Sequence, residues 1–193
     1  MKPRSNRVVV AVIGSASSNL PVEAALAAEA AGRAVVDCGC VLVTGGMSGV
    51  MEAACRGGRS SPKCDRGSVV GILPGYDHSE ANEFVQIAIP TGMQLARNTL
   101  VAATADAVVA VGGGSGTLSE IALAWQLGKP IVAVGGVSGW GDRLIGEALD
   151  HRAKTPIASA ATGKEAVALA LQLARADSRP PGDIGSGWRG RQR

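Results

Sequence analysis

Aromatic side chains are scarce in this chain. Five of them, Tyr76, Phe84, Trp125, Trp140 and Trp188, are scattered over 193 residues. That is too few for the stacking platform on which single-stranded nucleic acid is held. An excess of one charge is also missing from most of the chain. The net charge is +3, but residues 178–193 alone hold Arg179, Arg189, Arg191 and Arg193 against Asp183. The remainder carries basic and acidic groups in equal number, which argues against nucleic acid as its partner. The four cysteines (Cys38, Cys40, Cys55, Cys64) include no C-x-x-C pair and have no histidine beside them. No metal site is expected, and the thiols read as reduced and intracellular. His78 and His151 lie in polar surroundings and read as surface residues. No apolar run approaches the ~18 residues of a membrane helix. Val8–Ile13 is too short for a secretory core and ends in glycine, so a cytoplasmic protein is expected.

What the chain does have is glycine, 27 residues of it, set between short apolar runs in a sequence that is 46% hydrophobic. Runs at Arg7–Ile13, Cys40–Thr44, Ser68–Leu73, Phe84–Ile89, Ala107–Val111, Ile131–Val134 and, weakly, Ile157–Ala160 predict strands. Helices are expected from Pro21 to about Val36, with Ser18 or Asn19 as cap, and over Val50–Arg56, Gly92–Thr104, Thr117–Leu127, Asp142–Arg152 and Gly163–Ala176. Residues 57–67 read as a loop. Alternation of this kind predicts an α/β fold: a doubly wound, mostly parallel Rossmann-like sheet of about six or seven strands with helices on both faces. Residues 1–176 are expected to form a single nucleotide-binding domain, and 177–193 a flexible basic tail. A role of that tail in protein or nucleic-acid contact is a minor alternative to simple solvation.

Three glycine-bearing turns follow predicted strands, at 14–19, 45–49 and 112–117. In such sheets ligands bind where strand carboxyl ends meet these turns, and helix N-termini present unpaired N–H groups to phosphate. Gly14, Ser15, Gly45, Gly46, Gly49, Gly113, Gly114, Ser115, Gly116 and Thr117 are therefore candidate ligand contacts. The first turn has one glycine and is no G-x-G-x-x-G fingerprint, so a dinucleotide is not indicated. Glu120 has two readings. Thr117-Leu-Ser-Glu120 fits a T-x-x-E capping box, which alone would explain the carboxylate. Alternatively, the carboxylate faces a ligand at the mouth of the cradle. Arg97 falls on or beside the inward stripe of its predicted helix and either snorkels to the rim or meets an anion: Asp106, Glu120 or a ligand phosphate. Asn98 is a further, weaker candidate contact.

Val43-Thr-Gly-Gly-Met-Ser-Gly-Val-Met-Glu52, Thr91-Gly-Met-Gln-Leu-Ala-Arg-Asn98 and Gly112-Gly-Gly-Ser-Gly-Thr-Leu-Ser-Glu120 together resemble the Lonely Guy-type (SLOG) Rossmann-like superfamily. The similarity covers roughly residues 7–175 and is nearest the branch of short bacterial and algal proteins that includes the molybdenum cofactor carrier protein. In the cytokinin-activating branch a P-G-G-x-G-T-x-x-E motif binds phosphate and supplies a catalytic glutamate, with an arginine from the preceding helix. By resemblance, Gly113, Gly114, Gly116 and Thr117 become phosphate binders, Glu120 the catalytic carboxylate and Arg97 its partner. That implies a nucleoside 5′-monophosphate phosphoribohydrolase. Gly112 stands where that motif has proline, and Asn98 where lysine usually follows the arginine. Both are similar to the carrier-type branch, which binds a molybdopterin-type cofactor without converting it. The resemblance further implies a homo-oligomer, a dimer or tetramer. No required cofactor is expected: the bound species would be a molybdopterin-type cofactor or a nucleoside monophosphate. Nothing in the sequence supports a pyridoxal phosphate site.

Overall fold

The computed structural model describes residues 7–151 and 155–176. Seven strands form one sheet: β1 (Val9–Gly14), β2 (Val41–Thr44), β3 (Val69–Leu73), β4 (Ile87–Pro90), β5 (Ala107–Val111), β6 (Ile131–Val134) and β7 (Ala158–Ala160). Their order is β4-β3-β2-β1-β5-β6-β7, and every neighbouring pair is parallel. The helices are α1 (Val22–Asp37), α2 (Val50–Arg59), α3 (Asn98–Thr104), α4 (Ser115–Gln126), α5 (Trp140–Arg143) and α6 (Gly163–Ala176). This is the doubly wound, Rossmann-like α/β arrangement that the alternating pattern predicts.

Side chains alternate across the sheet, one residue to each face in turn. Val10, Val12, Val109, Val111, Val132 and Val134 enter the core shared with α1, α2 and α6. The intervening Ala11, Ile13, Val108, Ala110, Ile131 and Ala133 enter the core under α3 and α4. Helices cover both faces, so the central strands are unbroken apolar runs instead of alternating ones.

Where the elements differ from expectation, a local cause is visible. α2 continues to Arg59 through Gly57 and Gly58, which look like loop residues in the sequence. Gly57 is there for contact: a methyl group on it would run into the Glu29 carbonyl of α1, and one on Gly32 into the Ala54 carbonyl of α2, while Gly58 lies close against Leu42 and Val69 of the sheet. The two helices cross with backbones nearly touching, and only glycine permits it. α1 starts after Pro21 with no side-chain cap, while Asn19 donates its N–H to Ser17 Oγ at 3.2 Å within the turn. Strand β4 begins at Ile87, not Phe84, because Asn82 turns the chain first. Its Nδ2 donates to the carbonyls of Gly46 (3.0 Å) and Met47 (2.8 Å), and its Oδ1 accepts from Phe84 N.

The helix expected over Gly92–Thr104 is split into a turn, a 3-10 segment at Gln94–Arg97, and α3. The loop after β4 is tied to the end of β3 by Thr91 N to Leu73 O, and to the loop after β3 by Gly92 N to Gly75 O and Gln94 N to Pro74 O. The helix expected over Asp142–Arg152 shrinks to Trp140–Arg143. Beyond it, Gly146 N donates to Ile157 O and Ile157 N to Glu147 O, which pulls the chain into a pairing incompatible with a helix. Arg152, where that helix was expected to end, and the basic tail at 177–193 lie outside the described residues. Among the described residues no helix is long and apolar enough to cross a membrane.

Candidate functional site

β1 has β2 on one side and β5 on the other, so the connection direction reverses between β1 and β5. Open parallel sheets leave a crevice at the carboxyl end of such a switch point. Here it is a cleft of about 570 Å³. Gly14, Ser15, Ala16 and Ser17 after β1 line it, as do Gly45, Met47 and Met51 after β2. The β5 side contributes Gly114, Ser115, Gly116, Thr117 and Glu120. Pro74, Gln94, Leu95, Arg97 and Asn98 complete the wall.

The turn into α4 is built so that the helix start stays bare. Gly112 and Gly113 take φ of 55° and 94°, a region that favours glycine, and so swing the chain from β5 into the helix. Gly114 is the N-cap, and no side chain caps the helix. The first intrahelical bond to arrive is Leu118 N to Gly114 O, so the N–H groups of Ser115, Gly116 and Thr117 lack intrahelical acceptors. At Gly114 and Gly116 an added methyl group would meet no protein atom within 4 Å. These two glycines leave open space in front of a helix N-terminus, where anions are favoured.

This geometry removes the capping-box reading of Glu120. With Gly114 as cap, Thr117 is the third residue inside the helix and Glu120 lies in its second turn. Its carboxylate is instead the partner of Arg97: Arg97 Nη1 stands 3.4 Å from Glu120 Oε1. Asp106, the other anion considered for Arg97, accepts the backbone N–H of Val9 at 2.9 Å. Arg97 is 8% exposed and Glu120 7%, so the pair is largely withdrawn from water at the base of the cleft. The guanidinium lies over Gly45, where any side chain would collide with it, and within 4.0 Å of Met51 Sδ.

Burial pushes the Glu120 carboxyl up from 4.5 to about 7, with the Arg97 charge holding it back in part. Burial likewise pulls Arg97 below its ordinary value, opposed by Glu120, yet a guanidinium stays charged throughout the physiological range. Asn98 donates through Nδ2 to Ser119 Oγ (2.8 Å) and Gly116 O (3.4 Å), and Ser119 Oγ donates to Gly116 O (2.7 Å). Asn98 therefore clamps the first turn of α4 as well as lining the cleft.

Of the residues singled out in the sequence, Gly14, Ser15, Gly45, Arg97, Asn98, Gly114, Ser115, Gly116, Thr117 and Glu120 meet in this one cleft. Gly46, Gly49 and Gly113 stand behind its wall. Gly46 packs against Gly71 and Leu73. Gly49, at φ 72°, seats the second turn on the first, with Val50 N donating to Ser15 O at 2.9 Å. A side chain on Gly113 would strike Thr117. Met47, Met51, Pro74, Gln94 and Leu95 were missed as lining residues. Pro74 was within reach, since it closes a strand that ends on the same sheet edge; Gln94 and Leu95 were absorbed into an uninterrupted helix.

A parallel sheet with a switch-point cleft, a bare glycine-lined helix start and a buried Arg–Glu pair defines a Rossmann-like small-molecule-binding protein. The SLOG cluster4 family model matches residues 7–167, and the chain belongs to that family. The molybdenum cofactor binding protein of Rippkaea orientalis is similar in structure, with a TM-score of 0.76 and 28% identity over 88% of this chain and 98% of that one. So is the Moco carrier protein of Chlamydomonas reinhardtii, with a TM-score of 0.75 and 29% identity over 89% of this chain and all of that one (100%). An uncharacterized protein from Archaeoglobus fulgidus is 42% identical over 103 residues, which span 53% of this chain and 65% of that relative.

Proposed function

We propose that the cleft holds a phosphorylated small molecule of the nucleotide or molybdopterin type, and that it holds it without turnover, as a carrier does. The observation that carries this reading is the bare start of α4: Gly114 and Gly116 open onto the cleft, and three backbone N–H groups lack intrahelical acceptors. A phosphomonoester seated there accepts those N–H groups and complements the helix dipole. The cleft volume falls within the usual range of ligand pockets. Likeness to two proteins named for binding or carrying the molybdenum cofactor supports the carrier role. The cofactor would be cargo here, its phosphate at Ser115–Thr117 and its ring system toward Met47, Met51 and Leu95.

A second reading, phosphoribohydrolase activity on nucleoside 5′-monophosphates, is favoured by one observation: Glu120 is buried, faces the cleft and has a carboxyl pushed up to about 7. In that reaction water adds to the anomeric carbon as the base departs with a proton, and a carboxylate stabilises the oxocarbenium-like centre. The same feature counts against it. A carboxyl that is half protonated near neutrality, and already paired with Arg97, is a weaker stabiliser of positive charge than an ionised one. Asn98 adds no second cation beside it.

The two readings part on AMP. Incubated with the full chain, AMP should raise the melting temperature and be recovered intact. Release of adenine above the level seen with Glu120→Gln would establish the hydrolase instead.

A further inference from the structure

The 3-10 segment that lines the cleft carries two unusual features. Among the described residues Gln94 alone, apart from glycines, has a positive φ, at 51°. For a side chain of that size the left-handed region is strained, and such strain collects at ligand sites where the surroundings enforce it. The enforcement is visible. Gln94 N donates to Pro74 O at 2.9 Å, and Gly92 N to Gly75 O at 2.8 Å, so two loops hold the residue in place. The Gln94 side chain is exposed at the cleft, and its amide makes no hydrogen bond among the described residues. Next to it, Leu95 is 84% exposed, the highest value of any large apolar side chain described. Both residues line the cleft.

The strand order leaves room for a second subsite. Gln94 is anchored to Pro74, just past β3, and β3 stands three strand spacings from β5, or about 14 Å along the sheet edge. A sugar or a short linker with a bicyclic ring spans that interval. Between the two ends the lining is Met47 and Met51, polarizable side chains that suit the face of a flat ring.

We propose that Gln94 is the ring-reading residue of this cleft: its side-chain amide pairs with the hydrogen-bonding edge of a ligand heterocycle, while Leu95 covers the ring. A side-chain amide offers a donor and an acceptor side by side, the pattern with which glutamine meets a purine or pterin edge. The held backbone fixes the point from which that side chain reaches into the cleft. This inference rests on the reading of the cleft as a phosphate-ester site.

The test compares AMP with ribose 5-phosphate, which has the phosphate and sugar but no ring, on the full chain by titration calorimetry. Wild-type protein binds AMP more tightly than ribose 5-phosphate. Gln94→Gly weakens AMP by roughly tenfold, leaves ribose 5-phosphate within a factor of two, and melts no lower than wild type because the strain is relieved. Leu95→Ser shows the same pattern with a smaller AMP loss. If Gln94→Gly weakens both ligands equally, or neither, Gln94 does not read the ring and the inference fails alone. If wild-type protein binds neither ligand, the phosphate-ester reading fails and takes this one with it.

Discussion

Arg97 Nη1 and Glu120 Oε1 lie 3.4 Å apart with both side chains about nine-tenths buried, and they are the charged groups that line the cleft. The 3-10 segment that leads into α3 delivers the cation and α4 the anion, so the pair also joins two walls of the cleft. Its Coulomb attraction does not fully offset the desolvation of the carboxyl, whose pKa remains raised.

The raised pKa fixes the sign of a pH effect. From 4.5 to about 7 the folded state binds more protons at Glu120 than the unfolded chain does. Stability contributed by this group is therefore complete at acid pH and is lost as pH rises across that window. The loss is on the order of 3 kcal/mol. Glu120→Gln has no such titration. In thermal melts from pH 5 to pH 8, the melting temperature of Glu120→Gln relative to wild type should climb steadily, and a constant difference would refute the shift.

Removing the cation has the opposite dependence. Arg97→Met leaves a buried carboxylate without a counter-charge, which costs about 3 kcal/mol when the carboxylate is ionised. The variant should melt well below wild type at pH 8 and close to it at pH 5.5, where the carboxyl is protonated. Denaturant unfolding at the two pH values checks this.

The α4 cradle separates binding from stability. A methyl group on Gly116 meets no protein atom within 4 Å and points into the open cleft, so Gly116→Leu should fold with a melting temperature within a few degrees of wild type. It should nevertheless weaken AMP by at least about tenfold, or ~1.4 kcal/mol, by filling the anion's place. Calorimetric titration of AMP, alongside a melt, measures both.

Gly32 behaves in reverse. A methyl group there meets the Ala54 backbone, which is not free to move, so Gly32→Ala should destabilise by about 1–3 kcal/mol through overpacking. Gly32 does not line the cleft, so AMP affinity measured well below the melting temperature should be unchanged.

The sheet was legible because its strands are short apolar β-formers punctuated by glycine. Ala107–Val111 and Ile131–Val134 are read to the residue, since nothing but the sheet could bury them. The three turns were legible as one ligand edge because parallel topology puts strand carboxyl ends together. Sequence reasoning failed where a long-range contact overrode local preference. Gly57 and Gly58 read as breakers, but Gly57 serves the α1–α2 contact and Gly58 the packing of α2 on the sheet, and the pairing of Gly146 with Ile157 truncates the expected helix at Arg143. In the site, Thr117-Leu-Ser-Glu120 matches a capping box letter by letter, yet Gly114 takes the cap and frees Glu120 for Arg97. That outcome depends on where the helix begins, which the glycine-rich turn leaves ambiguous in the sequence. Gln94 could not be found at all, because its strain is imposed by Pro74, twenty residues earlier in the chain.

The most direct test of the central claim is native mass spectrometry of the full chain as purified, with the bound species identified after denaturation. The account predicts an intact phosphorylated heterocyclic molecule, present on wild type and absent from Gly116→Leu. It is contradicted if wild type carries no phosphorylated molecule and AMP leaves the melting of wild type and Gly116→Leu equally unchanged.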